Sequence, residues 1–275
     1  MSALVDTHLH LARQEFDSDR TEVLDRARAC GVCAYLHVGY DHETIPRAVA
    51  LARQLDASWA SAGIHPHDAS SWNRQTSELL RQLRREDAIV AIGECGLDFF
   101  RDLSPRTVQR EVFAEQIALA KELDLPLILH VRDAYSETRE LLTQLGAPRR
   151  RGVFHAFAGD AEFARWAVDE GFRLGIGGPL SYRNGQLGRQ IADLPAESFL
   201  LETDAPWLPP QPWRGQRNEP AYLRHTAQLL AQQLRLSLNA LSEQLLNNFE
   251  QLFAVTVPSS LRALNLERCA EPAAP

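Results

Sequence analysis

Histidines and carboxylates recur at short spacings in this chain: His8-Leu9-His10, His65-Pro66-His67, Glu94, His130, His155, and Glu202-Thr203-Asp204. Imidazole nitrogen and carboxylate oxygen together suit a first-row or hard divalent cation. A thiolate site does not fit, because Cys95 is the one cysteine near any of these residues. A cation held in this way lowers the pKa of water and polarises an electrophile, so the chemistry expected is metal-assisted hydrolysis. With six candidate ligands, two ions are more economical than one, and Glu94 is the natural bridging carboxylate. Arg132 and Arg217 can each reach the same region and hold a phosphate, or pair with a structural carboxylate.

The elements that must position these groups follow a rhythm. Short apolar runs begin at Ala3, Cys33, Ser58, Ala88, Pro126, Gly152, Phe172 and Ser198, and a helix-like pattern follows each. Helices are expected over Arg20–Cys30, Glu43–Leu55, Thr76–Arg85, Pro105–Leu123, Tyr135–Leu145, Ala161–Glu170, Gln186–Ala192, Pro220–Leu234 and Leu241–Phe253. Eight near-continuous apolar strands alternating with helices predict a parallel sheet closed into a single-domain (β/α)8 TIM barrel. The C-terminal strand ends of such a barrel share the face that hosts active sites. The clustered histidines and carboxylates all fall there. Period-two alternation aims His8 with His10, His130 with Arg132, and Glu202 with Asp204. The barrel is expected over 1–257. The stretch 258–275, with Pro258 and Pro272-Ala273-Ala274-Pro275, is expected to be a flexible tail.

Composition narrows the classes. The 275 residues carry 29 basic and 36 acidic side chains, a net charge of −7. That balance argues against coating long nucleic acid through a broad basic face. Four cysteines do not make a disulfide scaffold. Met1–His10 has neither a basic leader nor a long apolar core, and no apolar run approaches the ~18 residues of a membrane span. A cytoplasmic setting is the expectation, with no membrane and no obligate protein partner. Cys30-Gly31-Val32-Cys33 has redox spacing but spans a helix end and a strand, so it reads as packing. His37, His42 and His225 read as structural, Arg149-Arg150-Arg151 as a solvated loop, and Gly175-Ile176-Gly177-Gly178 as a tight loop. Trp72, Trp207 and Trp213 fall in loops at the active face, where each could stack on a base or pack.

In their order, these residues resemble the TatD family of metal-dependent hydrolases, within the amidohydrolase-like superfamily. The resemblance runs from about Leu4 to Phe253. Its motifs are Val5-Asp6-Thr7-His8-Leu9-His10, Gly63-Ile64-His65-Pro66-His67, Gly93-Glu94-Cys95-Gly96-Leu97-Asp98, His130-Val131-Arg132-Asp133-Ala134, His155-Ala156-Phe157-Ala158-Gly159, Glu202-Thr203-Asp204-Ala205-Pro206 and Arg217-Asn218-Glu219-Pro220. It implies metal positions at His8, His10, Glu94, His130, His155 and Asp204, with Glu94 bridging. Related barrels bridge with a carboxylated lysine, whereas the one lysine here is Lys121, within a helix.

The implied activity is divalent-metal-dependent hydrolysis of phosphodiester bonds, a deoxyribonuclease and often an exonuclease. Two ions, of Mg, Mn, Zn or Ni, would serve as cofactors, and single-stranded or 3′-terminal DNA would be the substrate. Asp204 would accept the water's proton and Glu202 would orient that water. His65 and His67 would contact substrate or protonate the leaving group, and Arg132 and Arg217 would clamp the phosphate. Cys95 departs from the family's usual aliphatic residue or threonine and is expected to make the site sensitive to oxidation. Two alternatives share these ligands: hydrolysis of a carboxylic ester or amide, such as an aminoacyl ester on transfer RNA, and a non-catalytic metal-binding scaffold.

Overall fold

The computed structural model describes residues 3–262, 266 and 269–272. Eight strands lie parallel and in chain order: β1 (Leu4–Leu9), β2 (Val32–Gly39), β3 (Ser58–Ala62), β4 (Ala91–Asp98), β5 (Leu127–Arg132), β6 (Gly152–Phe154), β7 (Arg173–Ile176) and β8 (Phe199–Leu201). Helices α1 (Arg20–Ala29), α2 (Thr44–Gln54), α3 (Arg74–Arg85), α4 (Arg106–Leu123), α5 (Tyr135–Leu145), α6 (Ala161–Asp169) and α7 (Leu187–Gln190) follow the first seven strands. After β8 come α8 (Leu223–Leu234), α9 (Leu238–Phe253) and α10 (Ser259–Arg262).

Each strand pairs with the next. The ring returns to its start through Thr7 Oγ1 donating to Leu201 O (3.1 Å), Asp204 N–H donating to His8 O (2.9 Å) and His10 N–H donating to Ala205 O (2.8 Å). The architecture is the single-domain (β/α)8 barrel that the alternation of runs predicts. No helix among the described residues is long and apolar enough to cross a membrane.

Two apolar clusters hold it together. The outer one lies between strands and helices and includes Leu9, Tyr35, Ile45, Phe113, Leu129 and Phe163. The inner one gathers Val5, Leu36, Val38, Ile128, Val153 and Leu200 with Leu246, Phe249, Leu252 and Phe253 of α9. Ala57, Trp59 and Val90, at strand starts, join it. Thus α9 closes the N-terminal end of the barrel, and Asn248 secures it by donating to Ala196 O (2.9 Å) and Phe199 O (2.8 Å).

Caps explain where several helices start. Asn73, Asp160 and Ser237 accept from the N–H groups of Thr76, Phe163 and Ala240. These caps start α3 and α9 two and three residues earlier than their apolar patterns alone indicate.

Two register shifts re-aim the strands. Along β4, Ala91 faces inward and Ile92 outward, and a shift between Ile92 and Cys95 then turns Glu94 inward. Gly93 makes this possible: its φ is +137°, and a Cβ there would lie 2.4 Å from Ile128 O. β1 has a comparable shift between Asp6 and Leu9. Val5 therefore faces the interior and Leu9 the helices, although the two are an even number of positions apart along the strand.

Part of the expected tail falls outside the described residues, at 263–265, 267–268 and 273–275. Of the rest, Ser259–Arg262 form α10, Leu266 is buried, Ala270 N–H donates to Ala29 O (3.0 Å), and Arg224 and Gln228 both donate to Glu271.

Candidate metal centre and active site

The C-terminal strand ends bring the predicted ligands together. His8 and His10 extend from the end of β1, Glu94 from β4 and His130 from β5, while His155 and Asp204 follow β6 and β8. His8 Nε2 and His10 Nε2 stand 3.2 Å apart. Glu94 Oε2 lies 3.4 Å from the first and 3.7 Å from the second, and Asp204 Oδ1 lies 3.7 and 3.3 Å from them. Ligand bonds of about 2.1 Å in a tetrahedral site put donor atoms about 3.4 Å apart, so this spacing fits one divalent cation. The other Glu94 oxygen, Oε1, lies 2.9 Å from His130 Nδ1 and 3.0 Å from His155 Nε2. These two ring nitrogens are 3.3 Å apart. One carboxylate thus faces two separate sets of nitrogen donors.

Electrostatics suit a cation. Burial opposes ionisation of Glu94, but His155, His65 and His130 around it hold the carboxyl well below the usual range. Asp204, likewise buried, is held low by His10, His155 and His8. Burial works against a charged His155, yet Glu94 and Glu202 raise its proton affinity well above normal. Asp98 and Glu94 do the same for His130. Where protons bind this tightly, a metal ion finds the same converging negative charge.

The surrounding residues set orientation. His65 Nδ1 accepts from His67 N–H (3.1 Å), which leaves its proton on Nε2, 3.4 Å from Glu94 Oε1. Burial, then His130, pushes its pKa down to about 4, so the ring is a neutral donor. Glu202 lies beneath His155: Oε1 accepts from Ala156 N–H (2.5 Å) and stands 3.6 Å from His155 Nδ1. Gly175 makes room for it, because a Cβ there would lie 2.3 Å from Glu202 Oε2. Gly175 and Ile176 are in fact part of β7, not the tight loop expected from sequence.

Asp98, the last residue of β4, sits within the cluster, and the sequence reading gave it no role. Its Oδ2 meets His67 Nε2 at 2.8 Å and His130 Nε2 at 3.1 Å, and its Oδ1 accepts from the N–H groups of Phe100 (3.0 Å) and Arg101 (2.8 Å). Its even spacing from Glu94 on one strand was the available signal.

Arg132 and Arg217 are placed differently. Arg132 is exposed at the mouth, its guanidinium 3.8 Å above the Phe100 ring. Arg217 is not brought to the cluster as a free cation. Asp19 binds both its terminal nitrogens (2.9 and 2.6 Å), Glu219 adds a third bond (3.0 Å), and the group lies over Phe16.

Among the predicted bystanders, His37 is buried, and Arg149 and Arg150 pair with Asp124. Cys30 and Cys33 are buried thiols whose pKa values burial pushes up. Cys95, expected near the site, is fully buried in the outer apolar cluster. The β4 shift turns it away from the cluster, and burial followed by the Glu94 charge raises its pKa strongly.

A (β/α)8 barrel with histidines and carboxylates converging at its C-terminal strand ends is the arrangement of a metal-dependent hydrolase. The chain belongs to the TatD-related DNase family, whose sequence model matches residues 5–254. It is 38% identical over 253 residues to an uncharacterised metal-dependent hydrolase, YabD, of Bacillus subtilis, covering 92% of this chain and 99% of that protein. It is 41% identical over 235 residues to the 3′-5′ ssDNA/RNA exonuclease TatD of Cronobacter sakazakii, covering 83% and 89%. The crystal structure of YJJV, a TatD homologue from Escherichia coli, superposes with a TM-score of 0.87 at 34% identity, covering 92% of this chain and 98% of that one.

Proposed function

We propose that this hydrolase is a two-metal exonuclease that removes nucleotides from the 3′ end of single-stranded DNA. The observation that carries the reading is the Glu94 carboxylate, whose oxygens face His8, His10 and Asp204 on one side and His130 and His155 on the other. The donor set is nitrogen and oxygen throughout, which leaves Mg, Mn, Zn and Ni all compatible. Bound there, divalent cations would activate water and neutralise charge on the phosphate.

The chain's own residues supply the rest. Asp204 is the base that takes the proton of the attacking water. His65 offers its Nε2 proton to a phosphoryl or leaving oxygen. Arg132 holds the phosphate at the mouth. Glu202 acts through His155 by fixing its ring, and His67 acts through Asp98. Arg217, tied to Asp19 and Glu219, shapes the rim. A cytoplasmic setting is part of this proposal, and the similarity to relatives named exonucleases supports its substrate.

The test uses end-labelled single- and double-stranded DNA with metal-stripped protein re-supplied with Mg²⁺, Mn²⁺ or Zn²⁺. Metal-dependent laddering from the 3′ end is expected, faster on single strands. Asp204→Asn should slow it by about 10²–10⁴-fold, the usual loss on removing a catalytic base. DNA left intact under every metal would sink the nuclease reading and favour carboxylic esters, beginning with aminoacylated RNA.

A further inference from the structure

Large apolar side chains are exposed at few described positions, and three of them stand at the catalytic mouth: Phe100 (58% exposed) and Leu103 (65%) after β4, and Trp207 (41%) after β8. In a ring of eight strands taken in chain order, β4 and β8 stand opposite one another. The two aromatic rings therefore flank the histidine–carboxylate cluster from opposite sides. Of the three loop tryptophans singled out in the sequence, Trp213 is buried, stacked on Tyr222 at 4.4 Å, and Trp72 donates to Glu115.

Each exposed ring is backed by a cation and fixed by a strand-end aspartate. Arg132 lies 3.8 Å over Phe100, and Arg13, ion-paired with Glu15 (2.7 Å), lies 5.0 Å over Trp207. The Phe100 turn is held by Asp98 Oδ1, while Oδ2 of that carboxylate holds His130. Trp207 N–H donates to Asp204 O (2.8 Å), Trp207 O accepts from Asn218 (2.6 Å), and the ring meets His10 edge-on at 4.8 Å. The backbone that carries each ring is thus tied to a residue of the histidine–carboxylate cluster. Arginine-backed rings present a π-face to a base and positive charge to its phosphate, which is the chemistry of single-strand recognition.

We propose that Trp207 and Phe100 are two base-stacking platforms that hold the bases on either side of the scissile phosphate, with Arg132 against the backbone. The assignment rests on the nuclease reading and deepens it. It makes the substrate a flexible strand whose last bases are splayed apart across the mouth, which a paired duplex end cannot supply without unpairing.

The test is fluorescence anisotropy of the full chain as purified, with a 5′-fluorescein decathymidylate whose 3′ linkages are phosphorothioates that resist cleavage. A second probe lacks the two 3′-terminal bases. Trp207→Ala and Phe100→Ala should each weaken binding of the first probe about tenfold or more, as loss of one stacked base does. Removing the bases should weaken the wild type similarly. Removing ring and base together should cost less than the sum of the two, the mark of a direct contact. Trp207→Phe and Phe100→Tyr should restore most of the binding.

Wild-type affinity in both alanine variants, or strictly additive losses, would overturn the proposal, as would a wild type that ignores the probe. The two readings fail separately. A protein that binds through the rings but cleaves no DNA under any metal loses the nuclease reading and keeps the platforms. One that cleaves DNA with the rings removed and affinity unchanged loses the platforms alone.

Discussion

At the scale of single residues, Asp98 shows how much of the site depends on groups that touch no metal. Its carboxylate addresses two histidines with one oxygen and two backbone N–H groups with the other. Asparagine in its place keeps the size but offers one acceptor oxygen where two are needed. The Asp98→Asn variant should therefore bind divalent metal about 10–100-fold more weakly, the usual cost of losing an outer-shell partner, while remaining folded. Calorimetric metal titration with circular dichroism on the same samples checks this, and unchanged affinity would refute the orienting role. The gathering of the six proposed ligands at one face was legible in the sequence, because histidines and carboxylates at the ends of apolar runs have few structural reasons to collect there. Arg217 was not legible in the same way. Its partner Asp19 lies 198 residues away, and no local pattern announces that pair.

Elements were placed well, and their local irregularities were not. The apolar run at Ala88–Ile92 marks the fourth strand, but β4 spans Ala91–Asp98 and carries the ligand within it. Strict alternation puts Glu94 on the same side as Ile92, facing the helices. The register shift at Gly93, whose signal is one glycine, reverses this.

β2 carries a different burden. His37 lies on the same side as Tyr35, fully buried, and neither ring nitrogen has a partner in the structure. Burial, assisted by Arg20, lowers its pKa to about 3, so the folded protein holds it neutral. The unfolded chain protonates His37 near pH 6.5, so the unfolded state gains protons first and stability falls as pH drops from 6.5 toward 3. At pH 5 the loss from this group is on the order of 2 kcal/mol. His37→Phe removes it. Urea midpoints at pH 7 and pH 5 should fall less in this variant than in the wild type, and equal falls would exclude His37 as a source of acid sensitivity.

For the whole molecule, the eight-unit rhythm gave the barrel, but not its floor. In sequence, α9 reads as one more amphipathic helix. In the structure its Phe249 is fully buried, 5.2 Å from Trp59 and 5.1 Å from Phe253, inside the cluster that fills the barrel. Phe249→Ala opens a cavity there and should destabilise the fold by about 3–5 kcal/mol, the range for large-to-small changes at buried phenylalanine. The metal ligands lie at the other end of the strands. The variant should thus keep its metal affinity per folded molecule while its urea midpoint falls. A loss of affinity equal to that of Asp98→Asn would show the two ends of the barrel to be coupled.

The seam between β8 and β1 has a consequence in time. His8 and His10 leave a ribosome long before Asp204 and the carbonyls of Leu201 and Ala205. In the interval a growing polypeptide carries these two histidines without the carboxylate that faces them or the strand that fixes them. The cluster is assembled only when the two ends of the ring meet, so a product lacking that last strand also lacks the carboxylate that faces the paired histidines.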